Sequence, residues 1–290
     1  MDNIRGIALM IASMAGFSVE DALIKSVAVE VPTGQIIIIL GLIGGLVFGL
    51  LAKASGQRLF GPALTQRSVV TRNLSEMVGT ICYVSSFVLA PLSIASSILQ
   101  ATPLFVTLGA ALFLGAPVGW RRWTAIVVGF IGVLIIVRPG GESFHPASLL
   151  AVAGVIFLAV RDLATRTAPR EIPSLVIAFY GYLSTVPAAA VLLWFQGGWV
   201  AIPAEALLGI LTAAAVGLAA YYAIIAAMRA GDVAVVTPFR YARIVFALIL
   251  GVMVFNETVD IWTLTGAAIV VLSGLYTLLR EARLIRSARA

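Results

Sequence analysis

The stretch Thr237-Pro238-Phe239-Arg240-Tyr241-Ala242-Arg243 sets two guanidiniums, a proline and two aromatic rings inside an apolar run from about Val233 to Phe255. Charge is costly in hydrocarbon, so an ionisable residue there faces a cavity, a partner or a ligand. Arg240 and Arg243 are three apart and share a helical face. A guanidinium offers its donors as a fork that can take a carboxylate through two parallel hydrogen bonds, so the chemistry suggested is capture of an anionic group. At 1.5 Å per residue, Arg240 stands about 10 Å and Arg243 about 15 Å into the run. The second depth is close to the middle of ~30 Å of hydrocarbon. Helical side chains lean toward their N-terminus, which leaves Arg240 a second reading as a side chain snorkelling to the interface. Arg243 is the sharper candidate.

Other residues gather around this pair by type. Tyr83, Tyr221, Tyr222 and Tyr241 fall within apolar runs, away from the interfacial belts where tyrosine is common. An aromatic wall with a few polar groups suits an amphipathic organic substrate, and Tyr83, Tyr221, Tyr241 and Gln100 are taken as cavity candidates. Packing with one hydroxyl hydrogen bond is the competing reading for each tyrosine. Pro103 and Pro238 remove backbone hydrogen bonds and are hinge candidates. Gly79 and Gly217, each four residues before a tyrosine, join them as gating candidates. Glu76 can pair with Arg72 or with an arginine of the Val233–Phe255 run. Glu20 and Asp21 read as a gate or as the interfacial end of the first helix. His145 is the single histidine and Cys82 the single cysteine. No intrachain disulfide is possible, and neither a metal site nor a cofactor is expected. A serine protease of the membrane needs an embedded histidine and a zinc protease needs His-Glu-x-x-His, so no catalytic residue is assigned and the chain does not read as an enzyme.

The elements that must hold these groups are membrane helices. The chain has 290 residues, of which 61% are hydrophobic and 11% charged, with a mean hydropathy of +1.08. A soluble chain of this length needs more charge to cover its surface. The net charge of +6 does not signal nucleic acid: of 19 cations all but Lys25 and Lys53 are arginines, most of them between apolar blocks. The start resembles a signal peptide in placing Arg5 before an apolar stretch, but the many blocks that follow point to a retained first helix.

Ten spans are predicted, at about Ile4–Ala22, Thr33–Ala52, Ser68–Ala90, Ile94–Leu114, Trp123–Val137, Pro146–Thr165, Ser174–Phe195, Glu205–Met228, Val233–Phe255 and Ile261–Leu279. With the N-terminus cytoplasmic, one side receives Arg5, Lys53, Arg58, Arg67, Arg72, Arg121, Arg122, Arg161, Arg166, Arg170, Arg229, Arg280, Arg283, Arg286 and Arg289. The other receives Lys25 and Arg138. This asymmetry predicts cytoplasmic termini. Gly41, Gly45 and Gly49 line one helical face, as do Gly129 and Gly132, where small residues let helices approach closely.

The chain also repeats itself. Gly79-x-x-x-Tyr83 matches Gly217-x-x-x-Tyr221, and Ala101-Thr-Pro-Leu-Phe105 matches Ala242-Arg-Ile-Val-Phe246, each pair in corresponding spans. Two halves of five spans, residues 1–145 and 146–290, must lie in opposite orientations because five is odd. The fold class expected is an all-α integral membrane protein of ten helices in two inverted repeats, with a substrate site between them.

At these residues the chain resembles the EamA-type branch of the drug/metabolite transporter superfamily over nearly its whole length. The first half contributes Ala101–Phe105, Gly119-Trp120-Arg121-Arg122-Trp123, Gly129-Phe130-Ile131-Gly132-Val133 and Arg138-Pro139-Gly140. The second adds Arg229-Ala230-Gly231-Asp232, Pro238-Phe239-Arg240-Tyr241, Phe255-Asn256-Glu257 and Arg280-Glu281. The resemblance implies a bacterial inner-membrane carrier working by alternating access, similar to exporters of aromatic or neutral amino acids. Export of drugs or transport of nucleotide sugars is the alternative, and a channel is the reading from another class. Expected partners are a small-molecule substrate and membrane lipid, without nucleic acid, the chain acting as a monomer or weak dimer. Two positions depart from the pattern: Ala116 stands where relatives often have glutamate, and after Gln35 the second span lacks a common arginine.

Overall fold

The computed structural model describes residues 2–116, 119–141, 144–169 and 171–289, with the side chains of 62, 63, 233, 234 and 281–289 left aside. Arg170 and the side chains of Arg283, Arg286 and Arg289, used above for orientation, lie outside what is described. The described residues contain helices and no strand. The helices are α1 (Asn3–Val27), α2 (Thr33–Ala54), α3 (Arg67–Leu89), α4 (Leu92–Leu99), α5 (Thr102–Phe113), α6 (Trp120–Val137), α7 (Ser148–Arg166), α8 (Ser174–Phe195), α9 (Ala204–Ala230), α10 (Val233–Val236), α11 (Ala242–Phe255) and α12 (Ile261–Arg289).

These make ten spans, because α4 with α5, and α10 with α11, are each one crossing broken in the middle. Nine of the ten are long and apolar enough by composition to cross a bilayer. The tenth, α3, has 23 residues but carries Arg72, Asn73 and Glu76 in its interior. Polar groups at that depth are tolerated only where other helices cover them.

Pairing between the halves gives the bundle its symmetry. The most extensive packing joins α1 to α9, α3 to α7, α2 to α8 and α6 to α12. Exchanging the halves maps the first span onto the sixth and the third onto the eighth. The α1–α9 contact then becomes the α7–α3 contact, and the other two pairs map onto themselves. Two five-span repeats related by a two-fold axis produce this pattern. An odd number of spans per repeat makes their orientations opposite. The broken crossings also correspond, one at Gln100–Ala101 and the other across the 3-10 turn Thr237–Tyr241.

Small residues set the closest approaches, as the glycine spacing predicts. Across α2 and α8, a Cβ at Gly34 would stand 2.7 Å from the Ala189 carbonyl oxygen, and one at Gly41 would stand 2.9 Å from Thr185 Oγ1. Gly132 on α6 and Gly266 on α12 face each other, a Cβ at either falling within 2.9 Å and 2.7 Å of the other's carbonyl oxygen. In lipid, where the hydrophobic effect does not drive helices together, such backbone contact supplies van der Waals energy.

Gly132→Leu therefore forces α6 and α12 apart and should cost about 1–3 kcal/mol, the range for overpacking a filled interface. Gly61→Leu, where nothing stands within 4 Å of a new Cβ, is the control. Thermal unfolding of the detergent-solubilised protein should show a lower Tm for the first and little change for the second. Equal Tm values would contradict the α6–α12 crossing.

Candidate functional site

The interior of the bundle holds eight charged side chains, on α1, α3, α7 and the α10–α11 crossing. Four are carboxylates, Glu20, Asp21, Glu76 and Asp162, and four are guanidiniums, Arg72, Arg161, Arg240 and Arg243. Most of them satisfy one another. Asp21 Oδ2 accepts from Arg243 at 2.6 Å and from the Tyr83 hydroxyl at 3.1 Å. The Asp21 and Arg243 side chains are only 8% and 17% exposed, so removing either would leave a charge stranded in a medium that penalises it heavily. The Arg243 guanidinium also lies 5.3 Å from the Phe17 ring centroid and 5.7 Å from that of Tyr83, a cation–π arrangement.

A second network sits nearer the end of the bundle that carries the chain termini. Glu76 bridges two arginines, Oε2 accepting from Arg72 at 3.0 Å and Oε1 from Arg161 at 3.0 Å. Arg161 continues to Asp162 at 2.8 Å. Arg72 is seated on α8 at Gly181, where a Cβ would stand 2.8 Å from its guanidinium. Each guanidinium in these networks shares a carboxylate, which is how buried charge is accommodated.

Two charges are left over. Arg240 is exposed and makes no hydrogen bond or ion pair among the described residues. The charges that act on it most are those of Asp162, Arg161 and Arg243. Glu20 likewise has no hydrogen-bond partner among the described residues; its carboxylate rests against Gly217, where a Cβ would fall 2.6 Å from Oε2. An aromatic cluster stands near the Glu76 network. Phe48 stacks on Tyr182 at 5.5 Å and meets Tyr221 edge-on at 5.0 Å, with Tyr182 and Tyr221 6.5 Å apart. The electrostatic neighbours of Tyr182 are Glu20, Tyr221 and Glu76, and those of Tyr221 include Arg72 and Arg161. The cluster thus lies beside Glu20 and the Glu76 network.

The sequence candidates distribute unevenly over this geometry. Arg243, favoured above as the free cation, is bound to Asp21. Arg240 is the open one. Glu20 and Asp21 are not an interfacial end, because α1 runs on to Val27 and buries Asp21. Tyr83 belongs to the Asp21–Arg243 cluster, and Tyr221 to the aromatic cluster. Tyr241 packs with its hydroxyl against Gly274 of α12 and finds no hydrogen-bond partner there. Tyr222 is 74% exposed on the outer surface. Gln100 is buried at the break between α4 and α5 with Nε2 unpartnered. Pro103 opens α5 and Pro238 lies in the 3-10 turn, so each proline sits at a break. Gly79 faces Leu158 of α7 as Gly217 faces Glu20 of α1, and these are corresponding contacts in the two repeats.

Sequence reading placed Arg161 and Asp162 within the sixth span, which α7 matches, but assigned neither to the site and counted Arg161 with the loop cations. It also missed Tyr182 and Phe48. The signal available for Arg161 was the need of Glu76 for a second cation from another span. For Phe48 and Tyr182 the signal was the glycine face of α2, which brings α8 close enough for their rings to meet.

Comparison with known proteins agrees with this architecture. The model of the EamA-like transporter family matches the chain twice, over residues 4–138 and 145–279. The S-adenosylmethionine uptake transporter of Rickettsia bellii is 27% identical over 216 residues, 73% of this chain and 72% of that protein. The riboflavin transporter of Vibrio cholerae is 33% identical over 179 residues, 61% of this chain and 59% of that protein. The pseudopaline exporter CntI of Pseudomonas aeruginosa is 27% identical over 273 residues, 92% and 94% of the two chains. A solved crystal structure covering 97% of this chain and 98% of its own superposes with a TM-score of 0.63 at 22% identity, a likeness of fold. Ten helical crossings in two repeats, a charged interior closed upon itself except at two residues, and two consecutive family matches have one reading: the chain belongs to the EamA-like transporter family and is a membrane transporter of small molecules.

Proposed function

We propose that the chain is an inner-membrane secondary carrier that exports aromatic or neutral amino acids and closely related metabolites by alternating access. In this reading residues 1–145 and 146–290 are the two units that move, and the termini face the cytoplasm. The observation that carries the proposal is the charge left over. Of four carboxylates and four guanidiniums, only Glu20 and Arg240 lack a partner among the described residues. A carboxyl group and a guanidinium, both without partners, complement a zwitterion. Arg240 takes the substrate carboxylate through charge-assisted hydrogen bonds. Glu20 takes the ammonium group, and Phe48, Tyr182 and Tyr221 offer ring faces to an apolar or aromatic side chain. Arg243 is given a positioning role, held by Asp21 next to both groups. The arginine-rich loops on the termini side support the orientation.

A broader metabolite reading rests on the relatives, which are named for S-adenosylmethionine, riboflavin and pseudopaline. Counterflow in proteoliposomes separates the two. Saturable exchange of phenylalanine, tyrosine or leucine supports the amino-acid reading, whereas exchange of S-adenosylmethionine or riboflavin alone replaces it. Conductance without saturation contradicts a carrier of either kind.

Two variant series test the roles. Arg240→Ala should raise KM for an amino acid about tenfold or more, the worth of a charged hydrogen bond, while the methyl ester of the same amino acid is transported as before. Equal loss on acid and ester would remove Arg240 from carboxylate recognition. For the buried pair, Asp21→Ala and Arg243→Ala should each destabilise the protein by about 3–5 kcal/mol. The double variant should cost clearly less than their sum. Additive losses in thermal unfolding would mean that the pair does not interact.

A further inference from the structure

The two broken crossings end alike but are fastened differently. At the end of α11, Asn256 takes a left-handed conformation (φ +50°) and the Glu257 amide bonds back to the Gly251 carbonyl at 2.9 Å. At the end of α5, Gly115 takes the same conformation (φ +61°) and the Ala116 amide bonds back to the Ala110 carbonyl at 3.1 Å. Both are six-residue closures of the kind that ends helices with a left-handed residue. Ala116 and Glu257 are therefore equivalent positions of the two repeats, at opposite ends of the bundle.

Only one of them can hold anything. Glu257 reaches the start of α4 and accepts from the Leu92 amide at 2.6 Å, the Ser93 amide at 3.0 Å and the Ser93 hydroxyl at 2.7 Å. Lys25, at the end of α1, pairs with the same carboxylate at 3.1 Å and donates to the Ala90 carbonyl at 2.6 Å. Burial works against ionisation of Glu257, but the hydrogen bonds from Ser93 and Leu92 and the charge of Lys25 outweigh it and hold the carboxyl below its usual range. The carboxylate is thus fully charged at neutral pH. A lowered pKa means that its contribution is lost only on acidification through that lowered value. The Arg138–Asp260 ion pair ties α6 to the start of α12 at the same end.

At the opposite end the equivalent residue, Ala116, has no carboxylate with which to clamp. Ala116 packs on Val106, Ala110, Ala159 and Leu163. Near the start of α10 the Asp232 amide donates to Asn3 Oδ1 at 2.8 Å, and the Asp2 amide donates to the Ala230 carbonyl at 2.9 Å.

We propose that the carboxylate at Glu257, with alanine at the equivalent position 116, sets the resting bias of the carrier. Glu257 keeps the end remote from the termini shut, and the end bearing the termini opens more readily. The inference rests on alternating access, but not on the identity of the substrate. Charge-assisted hydrogen bonds from two amides, a hydroxyl and an ammonium are stronger than neutral ones, and opening at that end separates α4 from the α11–α12 loop.

The test is electron–electron distance measurement between spin labels, without substrate, in a Cys82→Ser background. One pair, at Leu89→Cys and Ile261→Cys, reads the remote end; a second, at Phe113→Cys and Arg229→Cys, reads the end with the termini. Glu257→Gln should raise the long-distance fraction at the remote end about tenfold, since a charged hydrogen bond is worth at least that factor. Glu257→Asp should raise it less. Lys25→Met, which removes the ammonium's bonds to Glu257 and to the Ala90 carbonyl but leaves the bonds from Leu92 and Ser93 to Glu257, serves if Glu257→Gln does not fold. Moving the carboxylate in Ala116→Glu/Glu257→Gln should reverse the bias, lengthening the first distance and shortening the second. Unchanged distributions in Glu257→Gln, or in Lys25→Met where the former does not fold, would overturn the latch. A moved carboxylate without reversal would overturn the asymmetry. Because no substrate is present, either result stands apart from the amino-acid reading.

Discussion

Charge in hydrocarbon has to find its opposite, and most of the architecture of this carrier follows from that. A lone guanidinium or carboxylate in the bundle interior would be paid for in several kcal/mol of desolvation. Six of the eight such groups persist because they neutralise one another across neighbouring helices, Asp21 with Arg243, Glu76 with Arg72 and Arg161, and Arg161 with Asp162. Helix α3 depends on this most directly. Its arginine and glutamate would disqualify it as a lipid-facing span, and it crosses the bundle because α7 and α8 cover those groups.

The same constraint gives the two exceptions their meaning. Glu20 and Arg240 stand beside neutralised networks, so each meets an environment already balanced in charge. In the proposed reading, a site that leaves one carboxyl group and one guanidinium unmatched favours a ligand that brings an ammonium and a carboxylate together. Tight glycine contacts between α2 and α8 and between α6 and α12 hold the helices close enough for these side chains to stay in register. Packing and electrostatics are therefore one design: small residues set the distances over which the charged residues act.

Much of this was legible in the sequence. Block length gave the ten crossings, loop arginines gave an expected orientation, and the paired Gly-x-x-x-Tyr motifs pointed to two repeats that the family matches also show. Individual site residues were harder. Arg240 and Arg243 are separated by three residues and look equivalent on a helical wheel. What distinguishes them is Asp21, 222 positions away in the chain from Arg243. Arg161 and Asp162 fall near the end of the predicted sixth span, where hydropathy falls whether the helix end is in water or buried against another helix, so nothing local marks them as site residues. The aromatic cluster combines Phe48, Tyr182 and Tyr221 from three spans, and no local pattern announces a meeting of that kind.

The account turns on which guanidinium the substrate meets. A structure of the carrier with a bound aromatic amino acid tests that most directly. The expected result is a carboxylate within ~3 Å of the Arg240 guanidinium, the ammonium group facing Glu20, and the Asp21–Arg243 pair intact. A substrate carboxylate held by Arg243, with Asp21 displaced and Arg240 still unpaired, would contradict it.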